Sequence, residues 1–179
     1  MQLKNYERKL PHLQSINADY FLTYRLADSI PMSVLEKIRA TETSARFIEM
    51  ESYLDSPGNG PYWLKQPGIA TEVYNSLIHL DKTKINLKCF TIMSNHVHSL
   101  FSIKNPADNL FKIMQSHKSF TAKKCNAILG RTGQFWETES FDHIVRKGHL
   151  ENTIDYIVQN PVKAGLVKRW EDWPWTFVR

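Results

Sequence analysis

Two histidines, His96 and His98, are separated by one residue in the segment Asn95-His96-Val97-His98. The residues from 97 to 103 are typical of a strand, along which side chains alternate between the two faces of the sheet. Both imidazoles would then project from one face and Val97 from the other. Neutral imidazole binds Zn, Mn, Fe, Co and Ni, and accepts Mg when phosphate oxygens complete the shell. The spacing is therefore compatible with a shared divalent metal, and equally with two hydrogen-bonded histidines at a sheet surface.

A tyrosine and an asparagine, Tyr156 and Asn160, stand four residues apart near the C-terminus. The surrounding sequence predicts a helix whose apolar stripe is formed by Leu150, Ile154, Ile157 and Val158. At about 100° per residue, Tyr156 and Asn160 fall on the face away from this stripe. Pro161 disfavours helical geometry at the residue before it, so the helix is expected to end at Asn160. The pair is either an exposed tyrosine with a capping asparagine or two polar groups available for chemistry.

The order of predicted elements places these motifs in a fold. The sequence predicts strands at 20–26, 85–93, 97–103 and 140–146, and helices at 33–54, 68–80, about 106–129 with Asn105 as its cap, and about 149–160. This order predicts an α+β fold with a ferredoxin-like antiparallel sheet, helices on one face and a C-terminal helix carrying the tyrosine. We expect a single domain over 1–179 with a helical insertion at about 30–62.

The charge of the chain is concentrated in its second half. The 179 residues carry a net charge of +5; residues 1–85 have 10 Lys and Arg against 10 Asp and Glu, whereas residues 86–179 have 13 against 8. A basic surface attracts polyanions such as nucleic acid, although solvated surface charge would give the same numbers. Cys89 and Cys125 lie in apolar patterns and are interpreted as buried, reduced thiols. With no signal peptide and no apolar stretch long enough for a membrane span, a cytoplasmic location is expected.

Taken together, the motifs resemble those of the single-tyrosine HUH transposases, in particular the REP-associated tyrosine transposases and their insertion-sequence relatives. HUH denotes two histidines around a bulky hydrophobic residue, as in His96-Val97-His98. The resemblance covers nearly the whole chain apart from about 30–62. Its segments, in family order, are YFLTYRL (20–26), CFTIMSNHVHSLFSI (89–103), FWETESFDHIVRKGHLENTIDYIVQNPVKAGLV (135–167) and WPWTF (173–177).

The resemblance implies a role for each matched residue. Tyr156 would be the nucleophile, and His96 and His98 would hold a divalent metal, Mg or Mn. Asn160 occupies the position where some relatives use a glutamine as third metal ligand. The implied reaction cleaves single-stranded DNA through a 5′-phosphotyrosine intermediate and rejoins it, on hairpin or palindromic repeats. Some relatives exchange the tyrosine helix within a homodimer and others act as monomers.

Further residues are candidates for contacts with DNA. Lys118 and Lys163 could bind phosphate, or they could be ordinary solvated lysines. Trp136 could stack on a base, or it could belong to the core.

Two other functions remain open from the sequence. The chain could be a non-catalytic nucleic-acid-binding domain descended from a transposase, which would keep its DNA affinity after Tyr156→Phe. It could instead be a metalloenzyme for a small molecule, which would need a closed pocket and an activated water.

Overall fold

Five strands and six α-helices make up the described part of the chain, which in this computed structural model comprises residues 18–56, 58 and 60–179. The strands are β1 (Asp19–Leu26), β2 (Ile85–Ile92), β3 (His96–Ile103), β4 (Trp136–Ile144) and β5 (Thr176–Val178). The helices are α1 (Met32–Ala40), α2 (Thr43–Asp55), α3 (Pro67–Thr83), α4 (Leu110–Ile128), α5 (Leu150–Val158) and α6 (Asn160–Lys163). No helix among these residues is long and apolar enough to cross a membrane.

The strands form one antiparallel sheet in the order β4-β1-β3-β2-β5. The first four strands have the ferredoxin-like arrangement, so the predicted fold class is confirmed. Strand β5 was not predicted, because three residues are too few to show an alternating pattern. It pairs with the outer edge of β2, where the hydroxyls of Thr91 and Thr176 lie 2.9 Å apart.

The two faces of the sheet are covered by different helices. Alternation along β1 sends Tyr20 and Leu22 to one face and Phe21 to the other. On the first face α3 and α4 complete the main core, whose helical members include Ile69, Val73, Leu77, Leu110, Ile113, Met114 and Cys125. On the second face Phe21 packs with Ile157 of α5 and with Phe47 of α2. The second face, which carries both histidines, is therefore covered as well.

Several predicted boundaries were wrong, for local reasons. The helix expected over 33–54 is divided by extended backbone at Thr41 into α1 and α2. Helix α4 begins later than expected because Asn109, not Asn105, caps it by accepting the backbone N–H of Lys112 at 3.2 Å. Asn105 accepts the N–H of Ala107 in the preceding turn.

The ends of the last long strand and helix also differ from the prediction. Strand β4 begins at Trp136 rather than at residue 140. Helix α5 ends at Val158, and α6 starts at Asn160 with Pro161 in its first turn, where the missing proline N–H is not needed. Cys89 and Cys125 are buried and free, as expected.

Candidate active site

The two imidazoles of β3 meet on the second face of the sheet. Both rings are buried, and their Nε2 atoms lie 3.0 Å apart. Val97, between them, belongs to the main core on the first face. Both imidazoles thus project from one face and Val97 from the other, as predicted from strand alternation. One nitrogen of each ring is directed at the same point.

The opposite nitrogen of each ring is held by a neighbour. Nδ1 of His96 lies 2.7 Å from the amide oxygen of Asn95, and Nδ1 of His98 lies 2.8 Å from the hydroxyl of Thr23. Because an amide oxygen can only accept, the proton of a neutral His96 ring sits on Nδ1. The Nε2 lone pair of His96 then faces Nε2 of His98, and a metal could bind it in place of the hydrogen bond between the two rings.

A carboxylate from α2 completes the cluster. Oε2 of Glu51 lies 3.0 Å from Nε2 of His98, and one ligand atom each from Glu51, His96 and His98 all fall within 4.8 Å of one another. The Glu51 side chain is buried, and among residues 18–56, 58 and 60–179 its Oε1 finds no hydrogen-bond partner. Two imidazoles and one carboxylate are a donor set that divalent transition metals favour, and the unfilled buried oxygen fits a cation as well.

The protonation states also suit a cation. Burial would raise the pKa of Glu51, but His98 and the hydrogen bonds around the carboxylate lower it to about 2, so the group is charged. Burial and the neighbouring His98 lower the pKa of His96 to about 3, so that ring is neutral. Metal ligands must be deprotonated, and these two already are.

Tyr156 of α5 reaches the same cluster. Its hydroxyl donates to Oε2 of Glu51 at 2.8 Å, and its ring lies 5.9 Å from the ring of His98. Burial raises the pKa of Tyr156 well above the ordinary value, and the charge and hydrogen bond of Glu51 raise it further. The ammonium of Lys163 lies 4.6 Å from the centre of the tyrosine ring. The phenol is therefore protonated here and next to the imidazole pair.

Tyr156 is not the exposed tyrosine that one interpretation of the sequence allowed. The centre of its ring lies 5.9 Å from that of Phe21 and 6.2 Å from that of Phe47, and the side chain is half-buried. The reason is that α2 covers the side of α5 that its own apolar stripe leaves open. Helical periodicity marks the more apolar face of a helix, but it cannot show a second partner.

Asn160 takes part in the junction between α5 and α6. It is 2% exposed, and its amide nitrogen donates to the carbonyl of Tyr156 at 2.8 Å. The amide thus satisfies one of the last carbonyls of α5. Its role as a metal ligand remains a prediction.

Two of the residues expected to contact DNA lie on the first face of the sheet. Trp136 is 5% exposed, belongs to the main core and donates its indole N–H to Thr121 at 2.9 Å. The ammonium of Lys118 donates to Ser140 at 2.6 Å and to the carbonyl of Glu137 at 3.0 Å, so it fixes β4 to α4. Trp136 and Lys118 thus have structural partners within the fold, whereas Lys163 lies at the site, and the DNA contacts of all three remain predictions.

Comparison with known proteins identifies the family. The model of a family described as "Transposase IS200 like" matches residues 65–160, which is more than half of the chain. This range contains both histidines and Tyr156. The chain belongs to the IS200-like transposase family.

Individual relatives agree with the family assignment. A Haemophilus influenzae protein assigned to the REP-associated tyrosine transposases is 32% identical over 95 residues, which is 48% of this chain and 54% of that protein. The chain thus spans about half the length of that curated relative. A solved structure of a REP-associated tyrosine transposase bound to a REP hairpin has a TM-score of 0.55 at 17% identity, covering 89% of this chain and 75% of that one. At this identity the likeness shows a shared fold.

Glu51 was missed in the sequence, and it lies outside the range that the IS200-like family model matches. A signal was nevertheless present. Glu51 falls between Phe47 and Leu54 at the four- and three-residue spacings of one helix face. An acid on the apolar face of an amphipathic helix needs a buried partner, and here the partners are His98 and Tyr156.

Proposed function

We propose that this IS200-like transposase cleaves and rejoins single-stranded DNA, with Tyr156 as the nucleophile and a divalent metal, Mg or Mn, held at His96 and His98. The observation that carries the proposal is the contact of one carboxylate oxygen with both motifs. Oε2 of Glu51 is 2.8 Å from the Tyr156 hydroxyl and 3.0 Å from Nε2 of His98, although tyrosine and histidine are 58 positions apart in the chain. A nucleophile and two metal ligands in such proximity suit phosphoryl transfer.

The protein groups divide the chemistry between them. The phenolic oxygen of Tyr156 forms a bond to phosphorus while the bond from phosphorus to the 3′-oxygen breaks. The phenolic proton leaves towards Glu51, which already accepts its hydrogen bond, and the departing 3′-oxygen takes up a proton. A divalent cation held by His96 and His98 would polarise the phosphate and favour the phenolate. The phosphodiester energy is kept in the 5′-phosphotyrosine, so the reverse reaction joins strands without a nucleotide cofactor.

Single-stranded DNA with hairpin or palindromic repeats is the proposed substrate. One relative of the same fold is seen bound to a REP hairpin. The net charge of +5 arises entirely in residues 86–179, and the ammonium of Lys163 lies beside the Tyr156 ring, where it could meet a phosphate. These features support a phosphate-binding surface next to the nucleophile.

A covalent adduct tests the function directly. The protein is mixed with single-stranded hairpin oligonucleotides and Mn, and a denaturant-resistant protein–DNA species is sought by gel and mass spectrometry. We expect the adduct with the wild type, none with Tyr156→Phe, and none with His96→Ala although that variant still binds DNA. Tyr74→Phe is the matched control, since Tyr74 packs against Phe90 in the main core.

Two outcomes would overturn the proposal. An adduct that persists in Tyr156→Phe would assign the nucleophile to another residue. Tight hairpin binding by the wild type, unchanged in Tyr156→Phe and never accompanied by an adduct, would favour a non-catalytic DNA-binding descendant. The half-burial of Tyr156 beneath α2 is the observation that keeps this second candidate in view.

A further inference from the structure

We infer that Glu51 of α2 is the third protein ligand of the metal site, an inference that rests on the metal-dependent function proposed above. The ligand set would then be drawn from α2 and β3, and none of it from the helix that carries Tyr156.

The positions of the donor atoms are the first argument. Nε2 of His98 lies 3.0 Å from Nε2 of His96 and 3.0 Å from Oε2 of Glu51. Ligand atoms of the three residues all fall within 4.8 Å of one another. When nitrogen and oxygen ligands each lie about 2.0–2.2 Å from one metal, the distances between the ligand atoms themselves are similar to those found here. The three side chains would need only small adjustments to share a cation.

The burial of the carboxylate is the second argument. Glu51 is 6% exposed, and its Oε1 has no hydrogen-bond partner in the part of the chain that the structure describes. One helical turn further along α2, Oδ1 of Asp55 is also buried and has no hydrogen-bond partner among the same described residues. A buried acceptor left unsatisfied costs about 1–3 kcal/mol, more if it is charged. A cation bound at this side of α2 would reduce the free-energy cost of burying these oxygens.

The use of both carboxylate oxygens is the third argument. Oε2 accepts the hydroxyl of Tyr156, which leaves Oε1 with free lone pairs for a metal. Glu51 can thus bind a cation and keep its hydrogen bond to the nucleophile. Asn160, the residue that the family pattern would suggest, donates its amide nitrogen to the carbonyl of Tyr156, and its side-chain oxygen is the competing donor atom that the test below must distinguish from Glu51.

Metal binding without DNA tests the inference, and does so apart from activity. Protein freed of metal is titrated with MnCl₂ and followed by calorimetry and by the rise in melting temperature. Removal of a metal ligand should cost at least as much as removal of a group that orients one, about 10–100-fold in affinity. We expect Glu51→Gln to weaken Mn binding about tenfold or more, and Asn160→Ala to change it less than about twofold. Glu49→Gln, an exposed acid on the same helix, is the matched control.

A second substitution protects the test against misfolding. Glu51→Asp keeps the carboxylate and should bind Mn more tightly than Glu51→Gln, although the two perturb packing to a similar degree. Equal affinities for Glu51→Gln and the wild type, with binding lost in His96→Ala, would overturn the inference but leave the metal site in place. Loss of affinity in Asn160→Ala alone would assign the third ligand to Asn160 at the start of α6. Absence of Mn binding by the wild type would remove both this inference and the metal-dependent function.

Discussion

The orientation of each imidazole depends on one neighbouring polar atom. Asn95 holds Nδ1 of His96, and its amide nitrogen also donates to the carbonyl of Leu54 at 3.1 Å. Thr23 holds Nδ1 of His98 from β1. Such bonds fix the rotation of a metal-binding ring and the position of its proton. Asn95 therefore joins the end of α2 to the first histidine.

The hydroxyl of Thr23 can be tested against a close equivalent. Thr23 and Thr91 flank His98 in the ladder, one on each side, but the Thr91 hydroxyl lies 2.9 Å from that of Thr176. We expect Thr23→Val to weaken Mn binding about tenfold, because the His98 ring loses its orienting partner. Thr91→Val should leave the affinity within about twofold of the wild type. Equal losses in a calorimetric titration of the two variants would contradict this role.

The sequence predicts the histidine pair better than it predicts the carboxylate. The shared face of His96 and His98 follows from alternation within one strand, which is a local property. The contact of Glu51 with His98 joins residues 47 positions apart and depends on how α2 is placed over the sheet. Tyr156 could be singled out by the resemblance, but its burial under Phe47 could not, because no local pattern encodes the position of another helix.

At the level of elements, the start of α4 depends on which asparagine acts as the cap. Both Asn105 and Asn109 precede an apolar run, and Pro106 made the earlier one the natural choice. The structure uses Asn109, whose side chain accepts the N–H of Lys112. Residues 106 and 107 form a turn instead, in which the side chain of Asn105 accepts the backbone N–H of Ala107. Propensity thus located the helix and misplaced its first turn.

The two asparagines should differ in their contribution to stability. Asn109→Ala removes a helix cap and should lower the free energy of unfolding by about 1 kcal/mol. Asn105→Ala removes a bond within an exposed turn and should cost less than half as much. Urea unfolding of the two variants beside the wild type measures the difference. A larger loss for Asn105→Ala would place the functional cap at the earlier position.

At the level of the whole molecule, one buried histidine joins both core helices to the sheet. Nε2 of His117 in α4 lies 2.8 Å from the hydroxyl of Tyr24 in β1, and its Nδ1 lies 2.8 Å from the hydroxyl of Ser76 in α3. Burial, together with the positive charge of Lys118, lowers the pKa of His117 from 6.5 to about 3. The ring is therefore neutral in the folded protein at any ordinary pH.

This histidine should make the fold sensitive to acid. As the pH falls, the unfolded chain protonates His117 first, so its contribution is complete above about pH 6.5 and is lost towards about pH 3. With metal removed by EDTA, the free energy of unfolding should fall between about pH 7.5 and about pH 5 by about 2 kcal/mol more in the wild type than in His117→Gln. Denaturant melts at both pH values measure this, with His79→Gln, an exposed histidine of α3, as control. Identical pH dependence in the wild type and His117→Gln would show that the ring does not carry the effect.

The architecture as a whole was predictable because it follows from the order of the elements. Four strands and two crossover helices in that order have few antiparallel solutions, and the observed arrangement is one of them. What the order leaves undetermined is how residues 32–55 lie across the second face. Their placement depends on contacts such as the stacking of Phe47 on Phe141 at a ring distance of 4.4 Å.

The location of Glu51 has a consequence for how such proteins could diversify. Both histidines and the tyrosine lie within residues 65–160, whereas the acid belongs to a helical hairpin before that range. A chimaera that exchanges the hairpin between two relatives would thus transplant a donor atom and leave the nucleophile untouched. If Glu51 is a metal ligand, the hairpin that carries it could alter which cation the site prefers. Such a change would leave Tyr156, the residue that bonds to DNA, unaltered.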